Sequence, residues 1–216
     1  MTAADIDAPL PRTRADLRPV LLVLALAAIA LPLVGSFSTW VTLTFAGLAM
    51  GMIIFIVASG MTLVFGLMDV LNFGHGLFIA IGAYMAATVL GSMADWTQSG
   101  SLWLNLAAVL PALIVGMLVA GAVGVAFERV IVRPVYGQHL KQILITMGGM
   151  IIGEEIIKML WGPQTLSLPL PDALRGAVLV GDAAIEKFRI VALVVGLGVL
   201  LSLIHISEPT RQEAIS

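Results

Sequence analysis

The sequence predicts an all-α fold: a polytopic transmembrane helical bundle of about six spans, the last one truncated, with its N-terminus in the cytoplasm. Three observations predict it. Hydrophobic residues fill 60% of the 216 positions and charged residues 11%, and mean hydropathy is +1.07, too apolar to clothe a soluble globule. The apolar residues fall in runs near the ~20 residues that a helix needs to cross hydrocarbon. Lys and Arg collect at one set of loop ends. A net charge of −2 gives no basic footprint for nucleic acid. With no cysteine in the chain, disulfides and thiolate chemistry are excluded.

The first apolar run, Val20 to Val34, follows Arg12, Arg14 and Arg18 and contains Pro32. A basic stretch before an apolar core also fits a signal peptide, but no small-residue cleavage site follows, so a retained helix is expected. The second run extends from Trp40 to Phe65 and the third from Asp69 to Leu90. The fourth covers Leu102 to Phe127, the fifth Ile143 to Trp161, and the sixth Ile190 to about Leu200. Arg129, Arg133 and Lys141 follow the fourth span, whereas Gly35 to Thr39 and Gly91 to Ser101 carry no basic residue. Both basic segments therefore belong on the cytoplasmic side. Gly162 to Phe188 then lies outside. Its Arg175 and Lys187 conflict mildly with that placement but come with Asp172, Asp182 and Glu186. The Gly-Pro-rich start of this loop and the stretch Ala177 to Val180 predict a small hairpin or turn.

Leu201 to Ser216, reading LSLIHISEPTRQEAIS, resembles the in-frame translation of a sequencing-library adapter. On that reading residues 1–200 form a partial transmembrane domain, 201–216 is a non-native tail, and His205 has no functional part. The alternative is a polar cytoplasmic tail.

The chemistry-bearing residues cluster in two apolar neighbourhoods. The first is Gly66 to Gly76, GLMDVLNFGHG. Leu77 to Leu90 is too short to cross roughly 30 Å of hydrocarbon at 1.5 Å per residue, so the missing length is expected from Asp69 to Gly76. If helical, Asp69, Asn72 and His75 share an arc of about 120°. Gly74 and Gly76 permit close helix approach or a broken, re-entrant backbone. Polar groups at membrane depth face a bundle interior or wet cavity, which marks these five as substrate-path candidates. A tight turn with Asn72 capping the next helix is the alternative reading. The second cluster, Glu154, Glu155 and Lys158, offers an i,i+4 and an i,i+3 ion pair with one Glu left over. It fits either a gating network or a helix end from which Lys158 snorkels outward, the latter being favoured.

Glu128, Arg129, Arg133 and Pro134 form a basic helical extension that Pro134 ends; charge asymmetry explains it, and contact with a cytoplasmic partner is a further option. Gly47-xxx-Gly51 and Gly149-xxx-Gly153 are small-xxx-small patterns for close helix contact. No Walker A loop, His-Glu-x-x-His, Gly-x-Ser-x-Gly or Cys/His cluster occurs, so neither catalytic residues, metal ligands nor cofactors are expected.

Leu63 to Tyr84, with Asn72-Phe-Gly-His-Gly76 at its centre, resembles the Asn-Phe-x-His-Gly region of branched-chain amino acid ABC transporter permeases of the LivH type. Glu128-Arg-x3-Arg-Pro134, Ile145-Thr-Met-Gly148 and Leu160-Trp-Gly162 resemble the following stretch, so the likeness runs from about Phe45 to Gly181. Asp69 stands where Gly is usual, Gly74 where Ala is common, and the first span is extra. The resemblance implies a multi-pass subunit of the bacterial inner membrane. Its partners would be a LivM-type second permease, two cytoplasmic ATPases and a periplasmic solute-binding protein. The loop that grips the ATPase would follow the sixth span. Urea and amide systems share these motifs. An ion-coupled carrier using Asp69, His75 or the Glu154/Lys158 cluster, and a membrane enzyme with His75 as base, are the remaining alternatives.

Overall fold

A computed structural model describes residues 18–213 apart from 165, 167 and 169, with helix side chains from Val20 to His205; Arg12, Arg14, the Arg18 side chain and the far end of the 201–216 tail lie outside this set. Each expected span is a helix. Helix α1 covers Arg18–Val34, α2 Phe37–Met68 and α3 His75–Ser92, followed by one turn, α4, at Ala94–Thr97. Helix α5 covers Leu102–Phe127, α6 His139–Trp161 and α7 Lys187–Glu213. Among the described residues, four segments are long and apolar enough to cross a membrane: Phe37–Met68, His75–Ser92, Leu102–Val135 and Lys187–His205. Val20–Val34 is shorter, and α6 is long but carries Lys141, Glu154, Glu155 and Lys158.

The largest departure from expectation is at the third span, which starts at His75 rather than Asp69. Asp69 takes a left-handed backbone, φ 52°, and closes α2 with its N–H on the Phe65 carbonyl. Helical continuation is thereby broken, and Asp69, Asn72 and His75 do not form one helical face. Part of the missing length comes instead from the far end, where the helix runs through Gly91 and Ser92. The loop expected from Gly91 onward correspondingly holds α4.

Lipid tails are as apolar as leucine, so helices associate here through close packing and hydrogen bonds. The tightest crossing is α3 on α5. A Cβ built on Gly116 lies 2.7 Å from the Gly82 carbonyl oxygen and 3.3 Å from Ala86, and one on Gly82 lies 3.3 Å from Ala120. Helix α7 lies along α2, with Gly196 against Met52. Large apolar side chains point outward, Leu67 being 82% and Trp103 80% exposed, as an acyl-chain solvent requires. The buried cluster is Val70, Leu77, Phe127, Val132 and Ile157, where α3, α5, α6 and the stretch after α2 meet.

Strands β1, Ala177–Val180, and β2, Ala183–Glu186, pair antiparallel as the expected hairpin, with Gly181 at φ 61° in the turn. Ala183 and Ile185 are buried, and Thr42 donates to the Ala184 carbonyl at 3.2 Å, seating the hairpin on α2. Arg175 pairs with Asp172 at 3.0 Å and Arg189 with Glu186 at 3.1 Å. The Asp172 pairing mutes one of the two positive charges that conflict with an outside loop, Arg175; among the described residues no ion pair involves the other, Lys187. The bundle thus has a hairpin end and, opposite, a basic end with Arg129, Arg133 and Lys141.

Candidate functional site

Helix α6 serves as a ruler for the broken segment. At its first residue, His139 Nε2 lies 3.6 Å from an Asp69 carboxylate oxygen. Two turns on, the Thr146 hydroxyl accepts from the Phe73 N–H at 3.3 Å and lies 3.5 Å from the Leu71 carbonyl. Two turns further, a Cβ on Gly153 would overlap the Leu77 side chain. From His139 to Gly153 α6 climbs about 21 Å, and Asp69 to Leu77 climbs with it. Asp69 to Asn72 has no regular structure, Phe73 and Gly74 form a turn, and α3 begins at His75, so the climb is made by an irregular stretch, a turn and the first residues of a helix. The segment therefore leaves the basic end and climbs into the bundle. Irregular backbone at membrane depth is tolerated where protein covers it.

Side chains then hold the segment. Asn72 Oδ1 accepts from the Gly74 N–H at 2.9 Å, and its carbonyl accepts from the His75 N–H at 3.3 Å. Asn72 thus builds a tight turn, while the expected cap is not formed: Gly74 is the N-cap of α3 and no side chain caps that helix. The His75 ring packs on Gly60 of α2, where an added Cβ would sit 3.1 Å from Cε1. Gly74 is buried, and a Cβ there would meet Phe127 at 3.0 Å. Gly76 faces open space, and Asp69 is exposed. The five candidates consequently divide: Asn72, Gly74 and His75 belong to the packed break, whereas Asp69 marks its entrance and Gly76 its outer face.

Above the break sits an apolar plug. Leu77 fills the space at Gly153, and Phe127 lies so close to Gly149 that a Cβ there would come within 2.6 Å of Cε2. Beyond the plug, toward the hairpin end, lies the charged cluster. Lys158 Nζ is 2.6 Å from Glu155 Oε1, the i,i+3 alternative, and Glu154 is the Glu left over. Lys158 is within one turn of the end of α6. At the basic end α5 continues as a wide π turn, Glu128–Val132, and a 3₁₀ turn, Arg133–Val135. Arg129, Arg133 and Pro134 are exposed and Glu128 is half-buried. No ion pair joins Glu128 to either arginine among the described residues. Among them, too, no group of three His, Cys, Asp or Glu is placed to hold a metal.

Three buried polar residues have no role assigned from the sequence, although one of them, Thr146, lies in the Ile145-Thr-Met-Gly148 motif. Thr146 is the pin of the broken segment. Gln142, one turn earlier, donates from Nε2 to the Val135 carbonyl at 3.2 Å, while its Oε1 has no partner among the described residues. Asn105 gathers the hairpin end: its amide donates to the Trp96, Ser99 and Ser101 carbonyls, and its Oδ1 accepts from the Ala173 N–H at 2.9 Å. Single polar residues inside apolar runs are the signal that finds them.

Residues 43–203 match the family described as the branched-chain amino acid transport system permease component. The chain belongs to this family. It is 30% identical over 126 residues to the high-affinity branched-chain amino acid transport system permease protein LivH of Salmonella typhimurium, covering 58% of this chain and 40% of the relative. LivH of Escherichia coli is 32% identical over 127 residues, again 58% of this chain and 40% of that one. Permease protein BraD of Pseudomonas aeruginosa is 29% identical over 140 residues, 65% and 44% of the two chains. The match thus spans about two-fifths of the length of these curated relatives. No solved structure matches the chain significantly. This family membership and the apolar helices make the chain a multi-pass membrane protein of a transport-permease family.

Proposed function

We propose that this permease chain works as the transmembrane subunit of an ATP-driven importer for branched-chain or related amino acids in the bacterial inner membrane. Solute arrives on a periplasmic binding protein at the hairpin end. A second, LivM-type permease completes the path, and two cytoplasmic ATPases at the basic end hydrolyse ATP. Glu128, Arg129, Arg133 and Pro134 lie at that end, available to such a partner.

The observation that carries the reading is the broken backbone from Asp69 to Gly74, packed against α6 with Thr146 and Asn72 as its hydrogen-bond partners. A helix would bury its own N–H and C=O groups, whereas a break exposes them to whatever passes. In this mechanism the plug of Leu77 on Gly153 and Phe127 on Gly149 closes the route between the two ends. Sliding α6 against α3 and α5 opens it, and His75 and Asn72 then meet the solute. The chain contributes hydrogen bonds and cavity shape and makes no covalent step.

The test is ATP-dependent L-leucine uptake by cells or vesicles carrying the permease with its partner subunits. Replacing His75 by Leu removes one polar contact worth about 1 kcal/mol or slightly more, so uptake is expected to fall about tenfold with membrane insertion intact. Parental uptake in His75→Leu would remove His75 from the path. Uptake that follows a proton gradient with no ATPase present would replace the ATP-driven scheme with an ion-coupled one.

A further inference from the structure

Helices α3 and α6 enclose a second feature on the hairpin side of the plug. A cleft of about 270 Å³ is lined by Ala80, Tyr84, Glu154, Ile157, Lys158 and Gly162. Its ceiling is fixed, because the Tyr84 and Trp161 rings meet at 5.2 Å and Trp161 Nε1 donates to the Thr88 hydroxyl at 2.9 Å. Its inner wall is Ile157, a member of the buried cluster.

The charges in the cleft do not cancel. Lys158 is held by Glu155, which does not line the cleft, through a single contact at 2.6 Å. An ammonium has three donors, so two remain for another acceptor. Glu154 faces the cleft and has no ion pair among the described residues. Both groups are exposed on the cleft wall, so the carboxylate is open to a cation and the half-used ammonium to an anion. The two residues are i,i+4 neighbours, with Cβ atoms about 5–6 Å apart, so both groups reach one small molecule.

We infer that this cleft binds a zwitterionic α-amino acid, with the ligand ammonium on Glu154, its carboxylate on Lys158, and its side chain against Ala80, Ile157 and Tyr84. The inference rests on the transport reading above and deepens it, placing a station for the solute on the hairpin side of the plug. Small apolar side chains suit the walls, and both charged ends are required.

The experiment is calorimetric titration of the chain in lipid nanodiscs with L-leucine, with leucinamide, which lacks the carboxylate, and with 4-methylpentanoate, which lacks the ammonium. Leucine is expected to saturate a single site, and each analogue to bind about tenfold more weakly or worse, the cost of one charge-assisted contact. In Glu154→Gln the advantage of leucine over 4-methylpentanoate is expected to vanish. In Lys158→Met the advantage over leucinamide is expected to vanish, with helicity by circular dichroism unchanged in both variants. No saturable binding of leucine, equal binding of the analogues, or parental affinity in both variants would overturn the proposal. Normal ATP-dependent uptake with charge-blind binding sinks the cleft and leaves the transport reading standing; charge-selective binding without ATP-dependent uptake does the reverse.

Discussion

The two ends of α6 handle polarity in opposite ways. At the basic end Gln142 and Thr146 are wholly buried, uncharged, and turned to backbone groups of other segments. Toward the hairpin end Glu154, Glu155 and Lys158 are charged and exposed, with one ion pair for three groups. Between them, Gly149 and Gly153 admit Phe127 and Leu77. Buried neutral groups whose partners lie in the protein stabilise one arrangement, whereas accessible charges with spare capacity are free to meet a ligand. The first end should therefore report on stability and the second on binding.

That contrast can be broken at several points. The largest effect is expected at the plug. Gly153→Leu forces side-chain atoms into the space of Leu77 and should cost about 3 kcal/mol, read as a lower melting temperature in detergent. Gly51→Leu, in the same sequence pattern on α2, meets nothing within 4 Å and should leave melting unchanged; an equal loss at both sites would show that the plug is not special. Next comes Thr146→Val, which removes the hydroxyl partner of the part-buried Phe73 N–H and should cost about 1 kcal/mol. Thr146→Ser should recover most of it. Asn72→Ala removes the side-chain acceptor of the Gly74 N–H and should cost about 1 kcal/mol, measured the same way. Smallest of all is Glu155→Gln, which loses an exposed pair and should leave the melting temperature where it was. A large drop there would show that the hairpin-end cluster is as structural as the basic end.

Much of this layout was legible beforehand. The span from Leu102 to Phe127 has the same limits in sequence and structure, and the hairpin at Ala177 follows from its alternation and glycines. Pro134 ends the extension of α5 as its missing N–H requires. The third span was expected to be helical from Asp69, with a broken backbone or a tight turn as alternatives; the helix begins only at His75, and the broken alternative describes Asp69 to Gly74. The left-handed Asp69 decides that, and its carboxylate meets His139, seventy residues away. The two small-xxx-small patterns are indistinguishable as sequence. One became the plug, whereas Gly47 and Gly51 line an apolar cavity of about 550 Å³ between α1, α2 and α7. The tightest crossing, Gly82 on Gly116, went unmarked because each glycine is ordinary until the other is brought to it.

By itself, then, the sequence determined that the chain lives in a membrane, where its helices run, which family it resembles, and that polar residues near 72 and 154 lie in apolar surroundings. Those are properties of runs and spacings, and a run's hydropathy is the same whatever packs against it. Only the tertiary structure decided that the stretch after Asp69 runs as irregular backbone beside α6, that Thr146 holds it, and that Lys158 pairs with Glu155 rather than Glu154. The first two outcomes depend on contacts between residues far apart in the chain, and satisfying a polar group in lipid is a property of the pair, which neither residue carries alone.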